Sequence, residues 1–292
     1  MSETRLAGLP SVFWLGGGCG AGKTTVARAV TRRLDLRLYP VDAYTYEHAG
    51  RSAAGHYPQH QKFTAMSPDQ QWLADPRELA ETFTAISAER LEMVYDDLRA
   101  LGSGPTVVVE GPQLFPDLIA PVLQSPAHAL WLIPSADFGQ RGVEQRGLSF
   151  KTRQQDQASL NRHQRDQLLT GRHRQQAAAR RLLTAEVDGS RSVAQMVALV
   201  SARLEQLPGG LIRAADGNQR QQMRRAENAV VVRQLLAWWQ DMGAARMPDA
   251  PVFEFSCECE SLGCEQVAAL AVTDYQHRSA SGPVTVPGPA GS

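Results

Sequence analysis

A glycine-rich segment near the start of the chain constrains the fold more than any other feature of the sequence. Residues 16–25 read Gly-Gly-Gly-Cys-Gly-Ala-Gly-Lys-Thr-Thr and contain the full spacing G-x-x-x-x-G-K-[ST], from Gly17 to Thr24. An apolar stretch at residues 12–15 precedes the segment, and apolar positions at helical spacing follow it up to Leu34. This order predicts a strand, a tight loop and a helix, which together form a phosphate-binding loop within an α/β fold.

The residue types of this loop fit the chemistry of phosphate binding. Glycines allow successive backbone amides to curl around an anion, and the following helix directs its positive end at the same anion. The Lys23 ammonium can neutralise the β- and γ-phosphates, and the Thr24 hydroxyl can bind Mg²⁺. Cys19 is expected to be only a small, tolerated residue. The predicted nucleotide-binding residues within the loop are Gly17, Gly18, Gly20, Gly22, Lys23, Thr24 and Thr25.

Four further apolar runs alternate with helical patterns, which predicts a parallel sheet. They span residues 36–42, 106–110, 129–134 and 184–189. The first ends in Asp42, which could accept the proton of an attacking hydroxyl, bind Mg²⁺, or simply be a solvated loop residue or helix cap. The second ends in Glu110, where a carboxylate could orient Mg²⁺. Because Gly111-Pro112 follows and Asp is more usual at this position, Glu110 could instead contact the substrate.

An arginine- and glutamine-rich stretch at residues 138–181 predicts a helical lid that closes over the site. Its arginines could reach a phosphoryl group during transfer, or they could cover a solvated helix. We select Arg141 and Arg146 as catalytic because they lie near the end of the fourth strand, with Arg153 and Arg162 behind them.

Residues 10–207 resemble the small-molecule and nucleoside or nucleotide kinases of the P-loop NTPase superfamily, including shikimate-type and antibiotic-phosphorylating kinases. The resemblance rests on the loop, on Asp42, on Glu110-Gly111-Pro112, on the arginine-rich stretch and on Asp188-Gly189-Ser190. It implies a three-layer sandwich around a parallel sheet, with ATP and Mg²⁺ as ligands. It also implies that Asp42 binds or deprotonates the acceptor and that the loop at Gly189 packs on adenine. Since the sequence has no N-K-x-D motif, ATP is favoured over GTP.

The C-terminal part predicts a small α+β module that follows a break at Pro208-Gly209-Gly210. A helix is expected over residues 218–242, and then three cysteines with C-x-C-x4-C spacing. This cysteine pattern resembles a module of bacterial, especially actinomycete, proteins. Cys257, Cys259 and Cys264 could bind Zn²⁺, with His277 or an exogenous group as the fourth ligand, or they could form only a tight turn. The predicted units are residues 1–208, 209–278 and a disordered tail at 279–292.

Composition and net charge disfavour some classes of function. The formal net charge is zero, with 30 basic and 30 acidic residues, which disfavours a nucleic-acid partner. No apolar run is long enough to cross a membrane, and we expect a cytoplasmic protein. The leading hypothesis is an ATP- and Mg²⁺-dependent kinase, with Lys23, Asp42, Glu110, Arg141 and Arg146 as catalytic residues. It would act on a hydroxyl of a small molecule bound by residues 43–75.

Two other functions stay open. One is a nucleotide-dependent regulatory switch that contacts a protein partner through its C-terminal module. The other is a redox sensor that uses Cys257 and Cys259.

Overall fold

The computed structural model describes residues 8–144, 150–243 and 251–287. A five-stranded parallel sheet lies between helices, and a long helix and a two-stranded antiparallel sheet follow. The strands are β1 (Val12–Gly17), β2 (Arg37–Pro40), β3 (Val107–Glu110), β4 (Ala129–Pro134), β5 (Thr184–Val187), β6 (Val252–Ser256) and β7 (Val267–Ala271). The α-helices are α1 (Lys23–Arg33), α2 (Thr45–Ala54), α3 (Pro58–Ala65), α4 (Pro68–Trp72), α5 (Pro76–Leu101), α6 (Pro116–Ile119), α7 (Ala136–Glu144), α8 (Gln155–Ala179), α9 (Val193–Glu205), α10 (Gly217–Met242) and α11 (Val272–Ser281).

The parallel sheet has the strand order β2-β3-β1-β4-β5, with β1 at its centre. In the register of this sheet, Leu15 on β1 pairs with Glu110 on β3, and Glu110 pairs with Pro40 on β2. The carboxyl ends of these strands therefore meet at one edge, which is where open α/β sheets bind their ligands.

Alternate residues of β1 pack on opposite faces of the sheet, as the two-residue period of a strand requires. Phe13 and Leu15 join a buried cluster with residues of α1 and α9. Trp14 joins a second cluster with residues of α5 on the other face. Because both faces are covered, all six residues of β1 are buried. The sheet and its two helical layers form the α/β sandwich that the sequence predicts.

Among the described residues, no helix is both long and apolar enough to cross a bilayer.

In this structure, most of the stretch predicted to be a lid, residues 138–181, packs against the rest of the fold, and its closure over the site stays a prediction. Helix α8 packs along α5 and against β4, and its buried face carries Ala158, Leu169 and Ala177. The Arg172 side chain on α8 donates a hydrogen bond of 2.6 Å to the Thr84 hydroxyl on α5. Helix α8 is therefore part of the folded body, because a narrow apolar stripe within its polar sequence provides a packing surface.

Helix α10 covers the open edge of the sheet. The Leu38 amide on β2 donates to the Glu227 carboxylate on α10 across 2.8 Å. Arg224, also on α10, donates to the Leu36 carbonyl just before the same strand. Edge strands carry unpaired backbone groups, so α10 satisfies some of these groups and blocks strand addition there.

The C-terminal module consists of the β6–β7 antiparallel pair with α10 and α11 packed around it. The structure corrects the tail predicted to be disordered from residue 279. Helix α11 continues to Ser281, and Val284 is buried among the module's apolar residues. The Val284 amide donates to the buried Glu258 carboxylate across 2.8 Å, which fixes this segment to the module.

Candidate functional site

The glycine-rich loop connects β1 to α1 and forms an open cradle at the helix N-terminus. Gly22 is the N-cap residue, with φ of +73°, and it provides no side-chain hydrogen bond to the first turn of α1. The first-turn amides therefore face the loop without a side-chain cap. Lys23 is buried, and its Nζ donates to the Gly18 carbonyl across 2.7 Å. A cation and backbone donors thus converge on the cradle, which is the arrangement that binds phosphate.

Thr24 and Glu110 meet beside this cradle. The Thr24 hydroxyl donates to Glu110 Oε1 across 3.0 Å, so the first turn of α1 contacts the end of β3. Burial and the nearby Asp42 charge raise the pKa of Glu110 to about 7, against the opposing effects of Lys23, Thr24 and Arg28. A hydroxyl and a carboxylate oxygen are ligands that suit Mg²⁺. A divalent cation here would also relieve the cost of ionising a buried carboxyl.

Asp42 lies two residues beyond β2, in a short 3₁₀ turn at Val41–Tyr44, so the strand is shorter than predicted. The Gln113 amide donates to Asp42 Oδ1 across 2.6 Å, and Gln113 is itself buried. This contact explains the Gly-Pro that follows Glu110. A Cβ atom on Gly111 would lie 2.5 Å from Gln113 Oε1 and 3.1 Å from Val41 Cβ, so a larger residue would crowd the Gln113 side chain where it meets Asp42.

Two buried side chains hold these loops in place. Arg90 on α5 donates to the Val41 carbonyl across 2.6 Å and so anchors the turn that carries Asp42. His173 on α8 stacks on Phe115 and lies 3.0 Å from the Pro112 carbonyl through Nε2. Burial and the Lys23 charge lower the pKa of His173 to about 3, so this ring is neutral at physiological pH.

Arg165 is the buried arginine of α8 on the side of the phosphate loop. It donates two hydrogen bonds, of 3.0 and 2.6 Å, to Asp166 Oδ1. Its guanidinium lies over the rings of Trp72 and Phe83, at 5.6 and 5.3 Å from their centroids. Burial opposes the charge, but Asp166 keeps the pKa of Arg165 above its ordinary value. Cys19 and Asp42 also raise the pKa of Arg165 electrostatically.

A cavity of about 250 Å³ adjoins the loop between β4, α7 and α8. Cys19, Gln140, Asp166 and Thr170 contribute to its walls. Burial raises the pKa of the Cys19 thiol to about 11, so this side chain is a neutral thiol at physiological pH.

The remaining predicted residues have mixed placements. Arg141 is exposed on α7, with its guanidinium 5.9 Å from the Phe138 ring centroid. Arg146 lies outside the described residues. Thr25 is exposed on α1, and Gly189 is exposed beyond β5, where it approaches Phe138.

Helix α7 approaches the loop closely. A Cβ atom on Gly20 would lie 2.4 Å from the Gly139 carbonyl oxygen. Gly139 and Gly142 therefore allow this helix to pack against the loop.

The three C-terminal cysteines form a second cluster. The sulfur atoms of Cys257, Cys259 and Cys264 all lie within 4.8 Å of one another and could hold a metal ion. His277 is exposed on α11 and does not belong to this cluster. Within the described ranges, no other His, Cys, Asp or Glu completes it.

Sequence reasoning missed Gln113, Arg165 and His173. The first has one signal, since a residue three positions beyond a strand-ending carboxylate lies at the ligand edge of the sheet. Arg165 and His173 lie on α8, a helix rich in polar residues, and no local sequence pattern marks either of them as buried. Only packing separates Arg165 from the exposed Arg174, which pairs with Glu186 on the surface.

No family model matches the chain, and no curated protein matches it. Similar solved structures include TT1252 from Thermus thermophilus, at 19% identity and a TM-score of 0.43, over 69% of this chain and all of that one. An uncharacterized protein from Eubacterium ventriosum has 13% identity and a TM-score of 0.35, over 68% and 99%. A candidate kinase from Chloroflexus aurantiacus has 17% identity and a TM-score of 0.33, over 67% and 99%. At these TM-scores the likenesses carry no inference about function.

Proposed function

We propose that this protein transfers the γ-phosphoryl group of ATP to a hydroxyl of a small molecule, in a reaction that requires Mg²⁺. The observation that carries the proposal is the convergence of Lys23, the Thr24–Glu110 pair and the Asp42–Gln113 pair at one edge of the sheet. A phosphate cradle thus faces a candidate base for the acceptor hydroxyl.

The loop side would bind the nucleotide phosphates. The first-turn amides of α1 and the Lys23 ammonium would hold the β- and γ-phosphates, once Nζ leaves the Gly18 carbonyl. Thr24 and Glu110 would hold Mg²⁺, directly or through its water shell. Bound there, Mg²⁺ would neutralise phosphate charge. The Gly189 loop, against Phe138 on α7, is the proposed contact for adenine.

The Asp42 side would bind the acceptor. Its carboxylate is exposed, and Gln113 holds one oxygen, which leaves Oδ2 to accept the proton of an acceptor hydroxyl. The anchoring of the turn by Arg90 fixes this carboxylate before the acceptor arrives. Such positioning supplies much of the rate enhancement in phosphoryl transfer, where the protein does little covalent chemistry.

Arg165 is the arginine that the geometry favours for stabilising transferring charge. It is preorganised by Asp166 and by two aromatic rings, so little conformational entropy is lost when it meets an anion. Arg141 stays a second candidate because its helix packs directly on the loop.

A regulatory nucleotide switch is the second candidate function. The observation that favours it is the docking of the cysteine loop at the end of α1, the helix that begins with Lys23. A switch would bind ATP and change its contacts with a partner protein, without turnover that depends on an acceptor.

The two functions separate in one assay of ADP release. Purified protein with Mg²⁺–ATP is measured alone and with pooled sugars, nucleosides, amino acids and antibiotics. A kinase releases ADP faster with an active pool, and Asp42→Asn abolishes the stimulation while ATP still binds. Tight ATP binding with no stimulation by any pool would overturn the kinase proposal in favour of the switch.

A further inference from the structure

The cysteine loop of the C-terminal module has the geometry of a metal site. A tetrahedral zinc ion with zinc–sulfur bonds of about 2.3 Å holds its sulfurs about 4 Å apart. The Cys257, Cys259 and Cys264 sulfurs, all within 4.8 Å of one another, meet this requirement with little movement. None of them forms a disulfide.

Hydrogen-bond donors approach the sulfurs of Cys257 and Cys259. The Val286 amide donates to Cys257 Sγ across 3.2 Å. The Arg220 guanidinium donates to Cys259 Sγ across 3.7 Å. Donors directed at sulfur stabilise a thiolate and orient it, which is the part that outer hydrogen bonds play around metal ligands.

A buried arginine side chain supports the backbone of the cysteine loop. Arg220 at the start of α10 is fully buried, and its guanidinium donates to the carbonyls of Cys257 and Cys264 across 3.2 and 2.8 Å, and to that of Cys259. One side chain therefore binds the backbone of every cysteine in the cluster. Such a support holds the backbone of the loop in a path on which the three sulfurs converge.

Arg220 also attaches the cysteine loop to the turn between α1 and β2. Arg220 Nε donates to Asp35 Oδ1 across 3.2 Å, and the Gly263 amide donates to Asp35 Oδ2 across 2.7 Å. Asp35 is buried in the turn between α1 and β2. On the surface, Arg33 at the end of α1 forms two hydrogen bonds with Glu265.

We propose that Cys257, Cys259 and Cys264 bind one zinc ion as thiolates, and that this ion fixes the loop which docks the module onto the end of α1. Binding displaces the thiol protons to solvent, and no redox step is involved. Because no described side chain completes the site, a small exogenous ligand such as water takes the fourth position. The partial exposure of Cys259 and Cys264 gives such a ligand access.

Metal content of the full-length protein tests the site. We expect one equivalent of zinc per chain by mass spectrometry of the metal, and background zinc in Cys264→Ser. The matched control is Cys19→Ser, the cysteine outside the cluster, which keeps its zinc. Absence of stoichiometric zinc after reconstitution, or a disulfide between Cys257 and Cys259 in the reduced preparation, overturns the proposal.

Cobalt substitution keeps the test valid if Cys264→Ser does not fold. Wild-type protein loaded with Co²⁺ is expected to show a thiolate-to-cobalt charge-transfer band and the intense visible bands of a tetrahedral site. A spectrum without thiolate charge transfer contradicts ligation by these cysteines.

Hydrogen exchange tests the docking role. Removal of zinc by a chelator is expected to speed amide exchange in residues 257–266 and around Asp35, while β4 stays protected as an internal control. Unchanged exchange around Asp35 in zinc-free protein overturns the docking role even if zinc binds. These outcomes do not depend on ATP turnover, so they stand apart from the kinase proposal.

Discussion

The Thr24 hydroxyl donates a hydrogen bond of 3.0 Å to Glu110, which joins the first turn of α1 to the end of strand β3. The two residues are 86 positions apart in sequence, and parallel pairing of β1 with β3 brings them together. Lys23 lowers and Asp42 raises the pKa of Glu110, so this carboxyl interacts with both residues. It therefore connects the proposed phosphate site to the proposed acceptor site.

Lys23→Ala is expected to weaken ATP binding by about 10-fold or more, since a charge-assisted hydrogen bond contributes about 1.5–3 kcal/mol. Turnover should fall by about 100-fold or more, because the ammonium also stabilises transferring charge. Calorimetric titration and an ADP-release assay measure the two effects. Arg203→Ala, which removes an exposed cation from α9, is the control and should match wild type. Equal ATP affinity in Lys23→Ala would contradict the assignment of the loop.

Glu110→Gln is expected to stabilise the Mg²⁺-free protein at alkaline pH. Burial and Asp42 raise the pKa of Glu110 from 4.5 to about 7, so the folded state retains a proton that the unfolded state loses in this range. The stability of the wild type therefore falls as pH rises through that window, by roughly 3 kcal/mol above pH 7. The gain in melting temperature of Glu110→Gln should thus be larger at alkaline than at acidic pH. Mg²⁺-dependent turnover should be lost.

The control for this pH dependence is Glu186→Gln, an exposed carboxylate paired with Arg174. Its melting temperature should follow that of wild type at every pH. A pH-independent difference between Glu110→Gln and wild type would show that Glu110 does not titrate in this range.

Asp42→Asn is expected to lower acceptor-dependent turnover by about 100-fold or more, as loss of a general base does. ATP affinity should not change, because Asp42 lies on the acceptor side of the site. Steady-state kinetics and nucleotide titration separate the two quantities. Asp117→Asn removes a surface carboxylate paired with Arg180 and serves as control. Parallel loss of ATP affinity would assign Asp42 to the nucleotide and not to the acceptor.

Arg165→Lys is expected to lower the turnover number by about 100-fold with little change in ATP affinity. Lysine keeps the charge but cannot donate from two nitrogens of one planar group to Asp166 Oδ1, as Arg165 does. Arg141→Ala, on the exposed face of α7, should have a smaller effect. A larger loss of turnover in Arg141→Ala than in Arg165→Lys would make Arg141 the principal arginine of the site.

Arg220→Met is expected to destabilise the protein by about 3–5 kcal/mol, because it leaves the buried Asp35 carboxylate without its ion pair. Arg33→Ala removes an exposed pair with Glu265 and should cost about 1 kcal/mol or less. Urea unfolding of the full-length variants measures both changes. A small change in the free energy of unfolding of Arg220→Met would show that the C-terminal module and the part with the parallel sheet are stabilised independently.

The sequence was sufficient for features that depend on local patterns. The β1–loop–α1 unit and the strand alternation follow from apolar runs and glycine spacing, and the helix predicted over 218–242 is found as Gly217–Met242. Each of these signals lies within a short window, where backbone preference and side-chain periodicity agree. Asp42 and Glu110 could be singled out because strand ends in a parallel sheet share one edge.

Features that depend on distant contacts could not be predicted. Arg220 and Asp35 are 185 positions apart, and no local pattern marks either of them as buried. Helix α8 packs into the fold because α5 provides a complementary surface for the thin apolar stripe of α8. The contact of Gln113 with Asp42 likewise requires the tertiary path of the loop after β3.

The most direct test of the central claim is mass spectrometry of acceptor pools incubated with the protein, Mg²⁺ and ATP labelled in the γ-phosphoryl group. With wild type, one or a few pool compounds are expected to gain a labelled phosphoryl group. With Lys23→Ala or Asp42→Asn, no compound should become labelled. Labelled inorganic phosphate alone, or intact ATP with no labelled compound across all pools, would contradict phosphoryl transfer to a small-molecule hydroxyl.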